Sequence, residues 1–496
     1  MAEHLPVLQV IVPLLAAPLC LLVRVPRIAR VLVTVAAWTS LAIAVTLMAE
    51  VRTSGTITYA LGGWAAPYGI EYRIDLLSAY LLVLVSVVAA VVLSFLPGRP
   101  AAQISNHRET HFYAALLLSL AGMLGIAATG DAFNIFVFLE ISSISAYSLV
   151  ALGRRRQALM AAFSYLIIGT IGASFILLGI GFMYHMTGTL NMAELAVYLP
   201  QLTSTRTVRV AFAFLFVGVS IKLALFPLHQ WLPNAYSEAP AAVSAFLAAT
   251  STKISYYLLV RVVFTLFGAA FVFGSLHLDR LLVPLSIAAM FSGSIAAIYQ
   301  TNVKRLLAYS SVAQVGYMTL GLSFATVTGL TGGLVHLFNH AMMKGGLFLS
   351  VACIGSRIGS AQLDDLRGLG RRMPFSMASF VVGGLSLIGI PGTVGFISKW
   401  YLVRAALEQG RWLVAGLIVA SSLLAVAYVW RVLEVAYFAP RSADDPVVSE
   451  VGWKLLLPTW VLIGATVYFG LSADLTVGLA QDVARELVGI TGGVTP

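Results

Sequence analysis

An apolar run of about 20 residues is the length that crosses a bilayer as a helix, and this chain carries about fourteen such runs. They fall near 6–24, 31–49, 76–97, 112–130, 132–152, 159–184, 208–232, 241–272, 279–300, 304–324, 326–356, 375–403, 412–437 and 453–473. The longest polar connections, 50–75, 185–207 and 357–374, are too short to hold an independent core. Only 10% of the 496 residues are charged, against about 25% in soluble proteins. So few charges cannot dress the surface for water. The runs are continuous and rich in Leu, Ala, Gly and Ile, which predicts helices rather than the alternating strands of a barrel. The expected fold is an all-α polytopic membrane protein with about 14 transmembrane helices.

A net charge of +10 raises nucleic acid as a partner, but the basic residues sort by loop instead of gathering on one face. Alternate loops hold Arg24, Arg27 and Arg30, then Arg99 and Arg108, Arg154 to Arg156, Lys304 and Arg305, Arg357 to Arg372, and finally Arg431, Arg441 and Lys454. The intervening loops hold far fewer, chiefly Arg52, Arg73, Arg206, Arg209, Arg280 and Arg411. The excess of Lys and Arg on cytoplasmic loops then places both termini outside and the Arg154–Arg156 tract inside, in a cell's inner membrane. The basic balance records topology, with the lipid bilayer as partner and no nucleic acid. "MAEHLPVL" has no basic opening segment, so the first apolar run reads as a retained helix and not a cleaved signal. Cys20 and Cys353 sit in apolar runs without metal or disulfide spacing.

Two runs contain helix breakers. The seventh has Pro227 and Pro233 in "KLALFPLHQWLP", and the twelfth has Gly389, Pro391, Gly392 and Gly395 in "SLIGIPGTVGFISKW". Proline lacks a backbone donor and clashes with the preceding turn, so carbonyls are freed within the membrane. Such breaks persist where protein or a wet cavity re-satisfies the backbone. Two of them, five spans apart, point to two inverted five-helix repeats, each with a broken helix. The expected divisions are 1–111 (helices 1–3), 112–272 (first repeat), 273–437 (second repeat) and 438–496 (helix 14 and tail). The tail "DLTVGLAQDVARELVGI" reads as a surface helix or a contact segment for a neighbour.

Of six lysines, Lys222, Lys253, Lys344 and Lys399 fall inside apolar segments, the reverse of where lysine belongs. Glu140 lies within the fifth run, and His336, His340 and Lys344 recur at i, i+4, i+8 along one face of the eleventh helix. Taken singly, several have plain explanations. A lysine near a span end snorkels to the interface, and a buried histidine can satisfy a neighbouring carbonyl. Together they form a series that packing does not call for. An ammonium group in a low-dielectric site holds its proton less tightly, and a nearby carboxylate restores the hold. A Glu140–Lys222 pair that opens and closes would therefore switch the lysine between binding and releasing a proton. Histidines relay protons near neutrality, and Ser142, Ser143, Ser145, Ser251 and Ser255 with trapped water supply stepping stones. The expected order is Glu140, Lys222, Lys253, the eleventh-helix stripe, Lys399. No phosphate loop, nucleophile elbow or dinucleotide fingerprint occurs, and neither a metal site nor any cofactor is expected.

These segments resemble a known family. "KLALFPLHQWLPNAYSEAPAAVSAFLAATSTK" (222–253) is similar to the signature of proton-conducting antiporter-like subunits, found in Mrp-type multisubunit cation/proton antiporters, respiratory complex I and membrane-bound hydrogenases. "GDAFNIFVFLEISSISAYSLVA" (130–151), "NVKRLLAYSSVAQVGYM" (302–318), "HLFNHAMMKGGLFL" (336–349) and "LSLIGIPGTVGFISKW" (385–400) resemble further motifs of it. The resemblance implies Glu140 as modulating carboxylate, Lys222 as its switching partner and Lys253 as central relay. It places His340 and its neighbours between two half-channels, and Lys399 at the second break. It further implies a non-enzymatic transporter subunit, working beside other membrane subunits and exchanging protons for a monovalent cation, Na+ foremost. The D subunit of Mrp-type antiporters fits best, with a proton-pumping subunit of complex I or of a membrane-bound hydrogenase as the alternative. One departure is Ser255, where relatives carry a glycine. His229 and Trp231 match the signature, in positioning roles.

Overall fold

The computed structural model describes residues 2–23, 25–94, 108–153, 155–440 and 448–489. Arg24, Arg99, Arg154 and Arg441 of the charge pattern, positions 95–97 of the third run and Ile490 of the tail lie outside the described residues.

Among the described residues eighteen α-helices follow one another: α1 (Leu5–Val23), α2 (Pro26–Ser54), α3 (Leu76–Ser94), α4 (Glu109–Ala128), α5 (Ala132–Ala151), α6 (Arg156–Thr187), α7 (Met192–Tyr198), α8 (Arg206–Leu223) and α9 (Trp231–Glu238). Then come α10 (Ala241–Val260), α11 (Leu278–Ile298), α12 (Val303–Ser323), α13 (Val327–Ile358), α14 (Pro374–Ile388), α15 (Val394–Glu408), α16 (Trp412–Tyr437), α17 (Trp453–Leu471) and α18 (Asp474–Gly489). Among the described residues, eleven helices are long and apolar enough to cross a membrane, and all fourteen expected runs fall on helix. The three runs beyond those eleven are the broken pairs α8–α9 and α14–α15, and α12, whose polar Ser310, Ser311 and Gln314 lower its hydropathy. The protein is a helical, polytopic membrane protein. The two broken pairs, α8–α9 and α14–α15, lie five spans apart along the chain, with α10, α11, α12 and α13 between them.

Local chemistry sets the helix starts. Asp131 Oδ1 accepts from the amide of Asn134 at 2.7 Å to begin α5, and Asn302 Oδ1 accepts from Arg305 at 3.1 Å to begin α12. Helices α6 and α8 cross closely because glycine faces glycine: a Cβ on Gly218 would lie 2.6 Å from the Gly172 carbonyl oxygen.

The 50–75 connection, expected only as a polar link, contains a two-stranded hairpin. Strand β1 (Ile57–Ala60) pairs antiparallel with β2 (Glu71–Ile74). Alternation in "ITYA" and "EYRI" suits a half-buried ribbon, and Tyr72 bridges to Thr129 at the α4–α5 turn. The tail forms α18, which buries Ala480, Val483, Ala484 and Leu487 while Asp482 and Arg485 stay exposed. It lies against α13 and α3 of this chain.

Close to that end, α10 loosens into a π-helical turn, Arg261–Leu266. There the buried Arg261 holds Asp75 with both terminal nitrogens, Nη1 at 2.6 Å from Oδ2 and Nη2 at 2.5 Å from Oδ1. Its Nη2 also donates to Ser78 Oγ at 2.9 Å, so the start of α3 is tied to the end of α10. Burial alone would raise the Asp75 pKa, but the Arg261 charge and its hydrogen bonds outweigh burial and hold it below the usual carboxylate range. The pair's contribution is therefore complete above a carboxylate's ordinary pKa of about 3.9 and fades as pH falls through the depressed value. Asp75→Ala, which leaves a buried guanidinium unpaired, is expected to cost about 3–5 kcal/mol. The check is the thermal midpoint of the detergent-extracted protein against Asp75→Asn, which keeps a hydrogen-bond acceptor and falls less.

Candidate functional site

Helix α8 stops at Leu223, with Ala224 in the left-handed region at φ 60°. Pro227 follows and supplies no amide hydrogen. The carbonyl of Ile221 accepts twice, from the amide of Ala224 at 3.1 Å and from the indole of Trp231 at 2.9 Å. Trp231 thus serves the break, in keeping with a positioning role. Lys222, the next residue, points its buried Nζ at three groups of α5: Ser143 Oγ at 3.0 Å, Tyr147 Oη at 3.2 Å and Glu140 Oε1 at 3.5 Å. Positions 140, 143 and 147 are i, i+3 and i+7, one face of a helix. The sequence pointed to Glu140 and Ser143 but not to Tyr147, although that spacing was open to view. Tyr147 packs edge-on against Tyr165, which stacks on Trp231 with ring centroids 4.1 Å apart.

Glu140 is 25% exposed and Lys222 7%. The carboxylate borders a lateral face on which Phe133, Val137 and Ile144 are also exposed. On the other side of Lys222 lies a cavity of about 30 Å³, lined by Ser142, Ser143, Tyr165, Ser251 and Ser255 among others. A polar cavity of that size has room for a water molecule. It reaches from Lys222 to α10, which carries Lys253. Ser255 lines it and adds a hydroxyl to the cavity wall.

Lys253 is fully buried, its Nζ bonded to the carbonyl of Ala248 and to Thr252 Oγ1 at 3.4 Å. Helix α10 packs on α13, and Lys253 lies within electrostatic reach of His336, His340 and Lys344. The expected stripe is present. The rings of His336 and His340 are nearly parallel with centroids 6.1 Å apart. His336 Nδ1 meets Ser398 Oγ at 2.8 Å, whereas neither ring nitrogen of His340 has a hydrogen-bond partner. Lys344 donates to the carbonyl of Leu307 at 2.8 Å and to Ser310 Oγ.

At the second break α14 ends on Gly389, φ 91°. A side chain there would be strained by the left-handed backbone, and its Cβ would come within 3.0 Å of Lys399 Cδ. Lys399 Nζ turns back onto the freed helix end, donating to the carbonyls of Leu387 at 3.0 Å and Ile388 at 2.7 Å. Its third bond is to Ser422 Oγ at 2.7 Å. The negative end of α14 thus takes the place that a carboxylate holds at Lys222. Of the seven expected residues, partly exposed Glu140 meets Lys222, and Lys253, His336, His340, Lys344 and Lys399 are buried beyond it, with Lys253 in electrostatic reach of the α13 stripe and His336 of Lys399, a line that runs from one broken helix to the other. Beyond Tyr147, the hydroxyls of Ser310 and Ser422 at Lys344 and Lys399 were not foreseen.

The fold and this line define an antiporter-like membrane subunit. The chain belongs to the family described as NADH:quinone oxidoreductase/Mrp antiporter, TM, whose pattern matches residues 129–425. All the motifs quoted above fall inside that range. The N subunit of the NADH-quinone oxidoreductase of Desulforudis audaxviator is 46% identical over 492 residues, covering 95% of this chain and 96% of that one. The D subunit of the Na+/H+ antiporter of Alkalihalophilus pseudofirmus is 30% identical over 488 residues, covering 98% and 97%. A chain in the structure of the Mrp complex from Dietzia superposes with a TM-score of 0.91 at 26% identity, covering 99% of this chain and 98% of that one.

Trp231→Phe keeps the aromatic stack but leaves the Ile221 carbonyl only its bond from the Ala224 amide. The expected cost is that of one hydrogen bond, about 0.5–1.5 kcal/mol, read as a lower thermal midpoint. Tyr147→Phe, which leaves Lys222 two other partners, is expected to cost less.

Proposed function

We propose that this chain is the proton-translocating subunit of a multisubunit monovalent cation/proton antiporter, with Na+ as the cation. The observation that carries the reading is the Lys222–Glu140 pair at 3.5 Å beside a broken helix, continued through buried titratable groups to Lys399 at a second break. A packed core gains nothing from four lysines, whereas a proton path needs such groups in series. Glu140 and Lys222 work as a switch: while the carboxylate is close the ammonium keeps its proton, and when they part the proton moves on to Lys253. Two inverted repeats, 112–272 and 273–437, each supply one break, with 1–111 and 438–496 framing them. The charge pattern orients the chain with both termini outside the cytoplasmic membrane and Arg155 and Arg156 inside. Protons then run inward and Na+ outward, the cation path shared with neighbouring subunits. The near full-length likeness to the Dietzia Mrp chain and to an antiporter D subunit supports this host.

A second reading rests on the 46% identity to an N subunit of NADH-quinone oxidoreductase. There the same residues would pump protons outward, driven by redox chemistry in other subunits. Tagging the chain, extracting it gently from its native membranes and identifying what comes with it separates the two. Small hydrophobic partners without flavin or iron–sulfur absorbance support antiport; redox subunits in the same particle move the chain to the second reading.

In either host Lys222→Ala is expected to lower transport to near background in vesicles while the complex still assembles. Near-normal flux in an assembled variant would remove Lys222 from the path. Glu140→Gln is expected to impair transport by uncoupling the pair, and unchanged flux across the pH range would count against the switch.

A further inference from the structure

Lys399 can cap the end of α14 only if α15, which carries it, starts in one fixed place. The break itself does little to fix that start. Gly389 and Gly392 both have positive φ, 91° and 87°. Thr393, the residue before α15, turns its hydroxyl back to the Ile390 carbonyl at 2.7 Å and caps nothing on α15. The side chains around the Lys399 ammonium lie on other helices. Ser422 is on α16, and the ring of Tyr317, 5.0 Å away, is on α12, with its hydroxyl given to Ser421 Oγ at 3.1 Å. None of these contacts falls on the first turn of α15.

The hold comes from α13. Asn339 is 1% exposed, and its Nδ2 donates at 2.6 Å to the carbonyl of Val394, the first residue of α15. Three residues earlier on α13, His336 Nδ1 meets Ser398 Oγ at 2.8 Å. Positions 336 and 339 share a face of α13, and 394 and 398 share a face of α15. Two bonds between the same two faces therefore pin the first turn of α15 to the titratable stripe. Helix α14 closes another side, because a Cβ on Gly395 would collide with the Ser386 carbonyl. Lys399 follows Ser398 directly and reaches back from this seat to the carbonyls of Leu387 and Ile388. The carboxamide of Asn339 is committed to its bond: a carbonyl only accepts, so the amide hydrogens have to face Val394. Its Oδ1 is buried with no partner in the protein, a cost that a leucine of similar size would not carry.

We propose that Asn339 is a positioning residue: through the Val394 carbonyl it sets where α15 begins, and with that whether Lys399 reaches the end of α14. The proposal rests on the proton-path reading above and adds a residue that itself carries no proton. It also joins the stripe to the second break. A shift of α15 that withdraws Lys399 from α14 has to break the Asn339 bond or carry α13 with it.

The test compares Asn339→Leu and Asn339→Gln with the parent, each in the whole complex reconstituted into vesicles. Leucine removes the donor at similar size, and glutamine keeps it on a chain one methylene longer. Turnover per assembled complex is expected to fall about tenfold in Asn339→Leu, with the KM for the cation unchanged. Asn339→Gln is expected to return to within about threefold of the parent. Amide hydrogen exchange over 390–399 is expected to rise about threefold or more in Asn339→Leu and to stay as it is over 221–231, at the first break. A residue that merely fills space would lower the thermal midpoint and leave turnover alone, so parental turnover in Asn339→Leu overturns the proposal. A loss of turnover with unchanged exchange over 390–399 overturns it too. Should Asn339→Leu fail to assemble, Asn339→Ala, which only removes atoms, is judged by the same two readouts. Lys222→Ala measured alongside keeps the two readings apart. If it is dead while Asn339→Leu runs normally, the positioning role falls and the path stands. If Lys222→Ala runs normally the path falls, and exchange over 390–399 still decides whether Asn339 holds α15.

Discussion

Inside a hydrocarbon layer a freed carbonyl or an ammonium group has no water to turn to, and its partner has to come from the protein. Much of the interior here answers that demand. At the first break the Ile221 carbonyl takes a neutral indole donor from Trp231, which leaves Lys222 free to face Glu140. At the second, Lys399 itself caps the helix end. One break carries a lysine beside it; the other is closed by one.

That difference makes the two breaks chemically unlike. The charge on Lys222 answers to a carboxylate that can swing or take up a proton. The charge on Lys399 answers to the backbone of α14, which can do neither and yields only if the helix end shifts. A proton leaving Lys399 leaves an amine with two hydrogens for three acceptors, whereas one leaving Lys222 leaves a partly exposed carboxylate without its counter-charge.

Much of this was legible in the sequence for simple reasons. Apolar length marked the spans, proline and glycine marked the breaks, and a lysine in an apolar run announces itself against its background. The spacing of His336, His340 and Lys344 placed them on one stripe without need of coordinates. The hydroxyls were harder. Tyr317 sits in an apolar window where an aromatic residue is ordinary filling. The bond from Tyr317 to Ser421 spans more than a hundred positions between helices, and periodicity along one helix carries no information about another. The hairpin at 57–74 escaped because its strands are four residues each, lost among neighbours five times as long. Nor did anything in the sequence say that α18 would fold back onto α13 and α3.

The aromatic stack beside the first break has one more consequence. Lys222 touches Tyr147, Tyr147 touches Tyr165, Tyr165 lies flat on Trp231, and Trp231 holds the carbonyl of the residue just before Lys222. The contacts form a closed loop around the lysine, like a clamp bolted to its own frame. Glu140 stands outside the loop and meets Lys222 through a single contact, with no hydrogen bond to its Oε1. Of the two partners the lysine is held by several contacts and the carboxylate by that one, so any separation of the pair costs the fewest contacts on the Glu140 side.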